Sequence, residues 1–446
     1  MHISFIKPTL GRLADEPFHD EARMEPLNLG VLAGLTPPGV DVRLWDDRID
    51  EIDHDERTDL VAITVEAFTA RRAYEIADEF RARGVPVIMG GIHVTARPEE
   101  AAEHADSVFT GDAEARWAEV VADAHEGRLA PRYDGGTGRP QPATHARPDI
   151  YEGKGYLPLS LLQFGRGCRF HCEYCAVGSY FDHDHHTRPV DDVVAEIQGG
   201  TRRDLFFVDD NLIADHEAAK LLLRALIPLQ VRWVSQASID QVEDPELMRL
   251  MVESGCLGNV IGFESLDEAN LEQMGKQPNL ARRDRYAAAI DTLAGHHLQT
   301  WAAFVLGYDH DTPDSLLEQC EWAIEQHFTF AAWNVLMPYP GTPLYERLAE
   351  QDRLLYDGRW WLHPDYRFNS AAFRPARMTA RAARAVAVGF VVACLSFQGA
   401  FPASSSRHAF RVRAVRLGGS PSHPAVRRHL EFSASAGFNA VWVHGS

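Results

Sequence analysis

The chain has 446 residues, 45% hydrophobic and 24% charged, with a formal net charge of −20. This is the make-up of a globular protein with material for two or three domain cores, and so acidic a balance argues against nucleic acid as a partner and weakly against a membrane surface. The opening "MHISFIKP" is already strand-like, with no leader pattern, and the longest apolar run, Ala385 to Phe397, is too short to cross a bilayer; a cytoplasmic protein without a transmembrane segment or structural disulfides is expected.

Residues 1–128 alternate short apolar runs with helical patterns. "HISFIKP" (2–8), "VDVRLWDD" (40–47), "DLVAITV" (59–65), "PVIMGG" (86–91) and "SVFTG" (107–111) read as buried strands, and "TARRAYEIADEFRARG" and "AEARWAEVVADAHEG" as amphipathic helices. Strand and helix in alternation predict a doubly wound parallel sheet of Rossmann type, whose ligands bind at the carboxyl ends of the strands. Residues 129–157, rich in Pro and Gly, read as a linker. Residues 158–345 repeat the alternation six times. Strands are expected at "SLLQFGRG", "DLFFVDDN", "RWVSQASI", "GNVIGFES", "QTWAAFVLGY" and "FAAWNVLMP", giving a partial (β/α)6 barrel with its site at the carboxyl ends. Residues 346–446 form a mainly helical C-terminal region, a candidate substrate lid, with "TARAARAVAVGFVVACLSF" as a helix. Between 404 and 430 lie Arg407, Arg411, Arg413, Arg416, Arg427 and Arg428 and no acid. That stretch reads either as a solvated tail or as an anion-binding lid.

Half of the six cysteines crowd into "FGRGCRFHCEYCAVG", after the first expected barrel strand. A structural zinc site needs a fourth ligand, which His171, His183, His185 or His186 would have to supply. A thioredoxin-like C-x-x-C accounts for Cys172 and Cys175 and leaves Cys168 over. A 4Fe–4S cluster held by three thiolates leaves one iron without a protein ligand. The run "DHDHH" (182–186) reads as a polar loop, and Cys256, Cys320 and Cys394, in helical patterns, as packing.

The C-x3-C-x2-C spacing, with Arg166 and Gly167 before it, Phe170 within it and Tyr174 before its last cysteine, resembles the radical S-adenosylmethionine (SAM) signature. The resemblance implies that Cys168, Cys172 and Cys175 hold a 4Fe–4S cluster whose open iron binds SAM, and that the cleaved SAM yields a 5′-deoxyadenosyl radical. It also implies a SAM pocket at the strand ends: Tyr174, Asp209 and Asp210 in "FFVDDN", Gln236 and Ser238 in "SQASID", Glu264 in "IGFES", Lys276 in "EQMGKQ" and Pro338 in "MPYPGTPLYERL", the last on the adenine side. The Asp-Asp pair stands where much of the family carries Gly-Gly-Glu.

The first domain lacks G-x-G-x-x-G after its first strand, which speaks against a nicotinamide. Its strand ends, "TVEAFT", "GGIHVT" and "TGDAE", resemble the cobalamin-binding domain that precedes many radical SAM barrels. The contacts so implied are Thr64, Glu66, Phe68, Gly90, Gly91, His93, Gly111, Asp112 and Glu114. The matching region "WDDRIDE" has no histidine to ligate cobalt from below.

The whole therefore resembles a cobalamin-dependent radical SAM enzyme. This implies C-methylation of an unactivated carbon of a small molecule, natural product or lipid, by way of the deoxyadenosyl radical and methylcobalamin. A rearrangement, ring contraction or cyclisation on the same cofactors is the alternative. Electrons would come from a flavodoxin- or ferredoxin-type donor. Methylthiolation of transfer RNA would want further cysteines in the first domain, and a non-catalytic sensor would not need the pocket carboxylates.

Overall fold

Two parallel six-stranded sheets organise the computed structural model, which describes residues 1–10, 24–384, 411–412 and 432–433. The first holds β1 (His2–Lys7), β2 (Asp41–Asp46), β3 (Leu60–Thr64), β4 (Val87–Gly90), β5 (Ser107–Thr110) and β6 (Arg132–Asp134). They pair in the order β2-β1-β3-β4-β5-β6, every pair parallel. β3 is buried at all five positions, because helices cover both faces; that is why these strands are near-continuous apolar runs rather than alternating ones. Ile63, Met89 and Phe80 pack on one face, and Phe5, Ile88 and Phe109 on the other. The strand order reverses between β1 and β3, which opens the ligand crevice of such a sheet at their carboxyl ends.

Two features of this half were not legible beforehand. Helix Leu27–Leu35, "LNLGVLAGL", is apolar almost all round, so no 3.6-residue stripe marks it. Within the stretch read as linker, β6 adds the sixth strand, and Ile150 and Tyr151 are buried, with the Tyr151 hydroxyl donating to Pro26 O at 3.1 Å.

The second half contains β7 (Ser160–Leu162), β8 (Gly165–Gly167), β9 (His185–Thr187), β10 (Asp204–Phe207), β11 (Arg232–Ala237), β12 (Cys256–Glu264), β13 (Gln299–Leu306) and β14 (Phe330–Val335). β7 and β10–β14 form an open parallel barrel in chain order. Burial alternates along its strands: on β11, Trp233, Ser235 and Ala237 are buried towards the helices while Val234 and Gln236 are partly exposed on the inner side. Outer helices start on side-chain caps, such as Asp215 accepting from Glu217 N and Ala218 N, and Thr312 in a capping box with Ser315.

Three expectations are corrected here. "SLLQFGRG" is not one strand: β7 stays in the barrel, while β8 leaves it and pairs antiparallel with β9. "DHDHH" is therefore not a plain loop, since its last two residues begin β9. Cys256 opens β12 and lies in no helix, although it is buried as expected; Cys320 is buried in helix Pro313–Glu325. The expected C-terminal helix is helical from 380 to 384. The rest of it, Cys394 and the arginine-rich stretch lie outside the described residues, apart from Arg411–Val412, which pairs with Phe432–Ser433. Among the described residues no helix is long and apolar enough to cross a membrane.

After β14 the chain returns to the first sheet. Met337, Trp360, Trp361 and Ala372 join the core beneath β3 and β4. The Trp360 indole donates to Pro338 O at 2.9 Å and its ring meets Phe68 at 5.2 Å. Trp360→Ala should lower the unfolding free energy by about 3–5 kcal/mol, the range for deleting a buried aromatic, whereas Leu221→Ala, on a residue 59% exposed, should change it by less than about 0.5 kcal/mol. Urea denaturation of both variants measures the contrast.

Candidate active site

The carboxyl ends of β3, β4 and β5 face the start of the barrel across a cleft that opens to solvent. Its deep wall is apolar, with Ala62, Ile88, Phe109 and Trp117. Its rim is polar: Thr64 Oγ1 accepts from Asn28 Nδ2 at 2.7 Å. Gly111 has φ +75°, and a Cβ there would meet Gly136 O at 2.1 Å, so only glycine allows the chain to pass this close.

Of the residues the cobalamin resemblance implies, Thr64, Gly90, Gly91, Gly111, Asp112 and Glu114 line this cleft. Three are used elsewhere. Glu66 accepts from Lys7 Nζ at 2.8 Å and caps the turn Ala67–Thr69. Phe68 packs among Tyr339, Trp360 and Phe368. His93 is buried with Nε2 3.2 Å from Glu100 Oε1. In "WDDRIDE", Asp46 is fully buried and binds Arg48 Nε at 2.8 Å and the Tyr156 hydroxyl at 2.7 Å, and Asp47 takes both arms of Arg72 at 2.9 Å.

Arg166 crosses the cleft. Its guanidinium, 12% exposed, pairs with Glu114, lies 3.3 Å from Asp112 Oδ2, and donates to Gln163 Oε1 at 2.7 Å. Asp112 also accepts from the Tyr180 hydroxyl at 3.1 Å and from Gly138 N at 3.2 Å. Burial raises the Asp112 carboxyl, an effect that Arg166 opposes without cancelling. Asn28, Tyr180 and this bridging role of Arg166 carried no mark in the sequence.

Next to Arg166, Cys172 is buried and Cys168 and Cys175 partly so, all three as free thiols. The Cys175 N–H donates to Cys172 O at 3.1 Å, and Cys175 starts the helix Ala176–Tyr180. Burial pushes the Cys168 and Cys175 thiols up to about 11, and raises Cys172 too, with neighbouring thiols adding to the rise. Among the described residues no three His, Cys, Asp or Glu side chains converge as ligands of a single metal ion would.

Of the residues expected at the SAM pocket, Tyr174, Asp210, Glu264 and Lys276 interact with the thiols. Asp209 is 1% exposed, and its carboxylate accepts from Phe164 N at 3.0 Å and from Gly165 N. Asp210 accepts from Gly167 N at 3.1 Å and lies within electrostatic reach of Cys168 and Cys175. Burial, only partly offset by these backbone donors, pushes Asp209 up to about 7 and Asp210 to about 6. Gln236 Nε2 donates to Asp209 O at 3.2 Å, and Ser238 Oγ accepts from Asn211 Nδ2 at 3.0 Å. At the end of β12 the ladder shifts register, and Glu264 adopts φ +65°. Its carboxylate accepts from Lys276 Nζ at 2.9 Å, and Lys276 in turn acts on Cys168 and Cys172. Tyr174 packs edge-on to Tyr308 at 6.3 Å. Pro338 lies at the junction with the first sheet, where its carbonyl accepts the Trp360 indole.

Residues 162–323 match the model of the radical SAM superfamily. Over 342 residues the chain is 31% identical to bacteriochlorophyllide d C-12(1)-methyltransferase of Chlorobaculum tepidum, covering 74% of each chain. It is 29% identical over 358 residues to bacteriochlorophyllide d C-8(2)-methyltransferase of the same organism, covering 74% of this chain and 78% of the relative. In fold it resembles the radical S-adenosylmethionine methyltransferase TsrM of Kitasatospora setae, solved with cobalamin and a 4Fe–4S cluster bound, with a TM-score of 0.61, 18% identity and 78% of each chain covered.

The Glu264–Lys276 pair, 8% and 16% exposed, is deep enough that each charge depends on the other. Lys276→Met should cost about 3–5 kcal/mol of stability by stranding a buried carboxylate. The double variant Glu264→Gln/Lys276→Met should recover most of that loss, which chemical denaturation of the single and double variants will show.

Proposed function

The chain belongs to the radical SAM superfamily, and on that premise we propose that it is a cobalamin-dependent methyltransferase acting on an unactivated carbon of a small molecule. The observation that carries this reading is the placement of three free thiols at the carboxyl end of a parallel barrel, joined through Arg166 to a cleft at the carboxyl ends of a second parallel sheet.

Cys168, Cys172 and Cys175 would hold the 4Fe–4S cluster. The donor set fits: the thiols are free, none is tied in a disulfide, and the remaining described cysteines, Cys256 and Cys320, are buried in regular elements elsewhere. Thr64, Gly90, Gly91, Gly111, Asp112 and Glu114 would line the cobalamin site, with an apolar back wall for a flat ligand. When bound, cluster and SAM supply a hydrogen-abstracting radical and cobalamin supplies the methyl group.

The chain's own residues bind, orient and shield. Asp210, within electrostatic reach of Cys168 and Cys175, suits the methionyl ammonium of SAM; Lys276 offers an ammonium to the methionyl carboxylate. Glu264 keeps Lys276 in place, and Asp209, Gln236 and Ser238 shape the strand ends around them. Tyr174 closes the barrel side against Tyr308. Pro338, turned to Trp360, supports the junction of the two halves rather than a ligand. Glu66, Phe68 and His93 act the same way: each packs or pairs away from the cleft. The division into 1–128, 129–157, 158–345 and 346–446, with 129–157 packed onto the first sheet through β6, Ile150 and Tyr151, an external flavodoxin- or ferredoxin-type electron donor and a cytoplasmic location complete the proposal.

Anaerobic reconstitution with iron, sulfide and hydroxocobalamin, followed by SAM and a reductant, tests it. The expected products are 5′-deoxyadenosine and, with the methyl acceptor present, S-adenosylhomocysteine. Deoxyadenosine without S-adenosylhomocysteine would favour rearrangement over methylation, and absence of both would end the radical reading. Cys172→Ala should lose the cluster absorbance and keep cobalamin through gel filtration. Gly111→Val should do the reverse.

A further inference from the structure

Glu173 stands inside the cysteine loop, between Cys172 and Tyr174, and the reading above gives it no task. All its polar groups are engaged outside the loop. Its N–H donates to Met274 O at 2.9 Å, and its carbonyl accepts from Leu344 N at 2.9 Å. Its carboxylate takes both arms of Arg347, Nε at 3.0 Å and Nη2 at 2.7 Å, from 174 residues along the chain. A bidentate guanidinium–carboxylate pair fixes orientation as well as distance.

Arg347 is itself held. Its Nη1 donates to Asp309 Oδ2 at 2.9 Å, and Asp309 also accepts Arg353 Nη2 at 2.6 Å and Gln273 Nε2 at 2.7 Å. Burial pushes the Asp309 carboxyl up, but the hydrogen bonds from Arg353 and Gln273 and the charges of both arginines outweigh it and hold the group at about 2. Glu173 and Arg347 are 16% and 23% exposed, so their pairing is better shielded from water than a surface ion pair.

The supporting segments are built for this contact. Helix Glu268–Met274 ends on Gly275, φ +71°, where a Cβ would meet His171 O at 2.7 Å; only glycine lets the loop rest there. The turn Pro338–Pro343 leads into helix Pro343–Glu350, whose N-cap Thr342 accepts from Tyr345 N. Leu344 N and the Arg347 side chain, one helical turn apart, both reach Glu173. The Pro-Tyr-Pro-Gly-Thr-Pro run thus has a use that its resemblance to an adenine-side segment did not suggest.

We propose that Glu173 and Arg347, backed by Asp309 and Arg353, form a latch that holds Cys172 and Cys175 in register for the cluster and slows its loss of iron. The proposal rests on the reading of Cys168, Cys172 and Cys175 as cluster ligands. A cluster tethered by three protein bonds rather than four relies more on the stiffness of the loop that carries them. Glu173 and Arg347 are positioning residues, acting through that loop.

The test follows bleaching of the cluster absorbance by an iron chelator under anaerobic conditions, together with the EPR spectrum of the reduced cluster. Glu173→Gln and Arg347→Met should each release iron about tenfold faster, the scale of one lost charge-assisted hydrogen bond, and should broaden the EPR signal. The double variant should match the faster single one, since the two side chains act as a unit. Arg347→Lys should fall between wild type and Arg347→Met. Lys220→Met breaks a pair at 2.7 Å to Asp244, between outer helices, and should leave release and EPR unchanged even where it lowers the melting temperature. If wild type takes up iron and the Glu173 and Arg347 variants release it at the wild-type rate, or if Lys220→Met speeds release equally, the latch is wrong. If wild type takes up no cluster, the cysteine reading falls and the latch with it.

Discussion

One nearly buried guanidinium aligns the two halves of this molecule. Arg166 leaves the barrel on β8 and inserts between Asp112 and Glu114 at the end of β5. Breaking such a pair leaves uncompensated charge in a shielded place, a cost of several kcal/mol, so the carboxyl ends of the two sheets are held face to face. Arg166 can do this because β8 departs from the barrel. The departure would leave backbone donors unmet in a buried region, which proteins avoid. Asp209 takes up Phe164 N and Gly165 N, and Asp210 takes up Gly167 N. The Asp-Asp pair and the Gly-Arg-Gly run are therefore one device. The carboxylates catch the donors that the strand gives up, and the freed segment aims Arg166 at the cleft and brings Cys168 to the barrel rim.

Electrostatics at that rim works against itself. Burial raises all three thiols and both aspartates. Lys276 opposes the rise at Cys168 and Cys172, and Glu264 keeps the ammonium in place. Arg166 opposes the rise at Asp210. A site where desolvation lifts several acids and two buried cations only partly oppose it favours ligands that bring positive charge. Iron and the SAM sulfonium and ammonium are such ligands, which is the physical sense of the proposed cofactors at this rim.

The sheet, the barrel and the cysteine spacing were legible because each rests on a strong local signal: apolar runs, alternation of strand and helix, and three thiols at fixed offsets. What stayed hidden was direction. A residue at a strand end is near the site, but its side chain can go either way: Glu66, Phe68 and His93 engage Lys7, Trp360 and Glu100, while Thr64, Asp112 and Glu114 line the cleft. Long-range pairing was hidden too. Nothing local in "CEYC" marks Glu173 as the partner of Arg347, and nothing in "DHDHH" shows that its last residues pair with Gly-Arg-Gly. Helix Leu27–Leu35 escaped because a segment apolar on every side has no period to read.

The inner face of the barrel sharpens what kind of acceptor it suits. On four successive strands the partly exposed positions that alternate with buried, helix-facing neighbours are Val234 and Gln236, Val260 and Gly262, Trp301 and Ala303, and Phe330, Ala332 and Asn334. All are uncharged, and most are apolar. Charge is concentrated at the carboxyl rim, in Asp210, Glu264 and Lys276, beside the thiols. The amides of the inner face, Gln236 and Asn334, can hydrogen-bond a substrate but are poor proton acceptors, so acid–base activation of a carbon has few groups to work with there. Such a wall can still hold an apolar surface in a fixed pose. Hydrogen abstraction needs that pose and no charged partner, so the uncharged, mostly apolar lining supports the proposal that the methyl acceptor is an unactivated carbon.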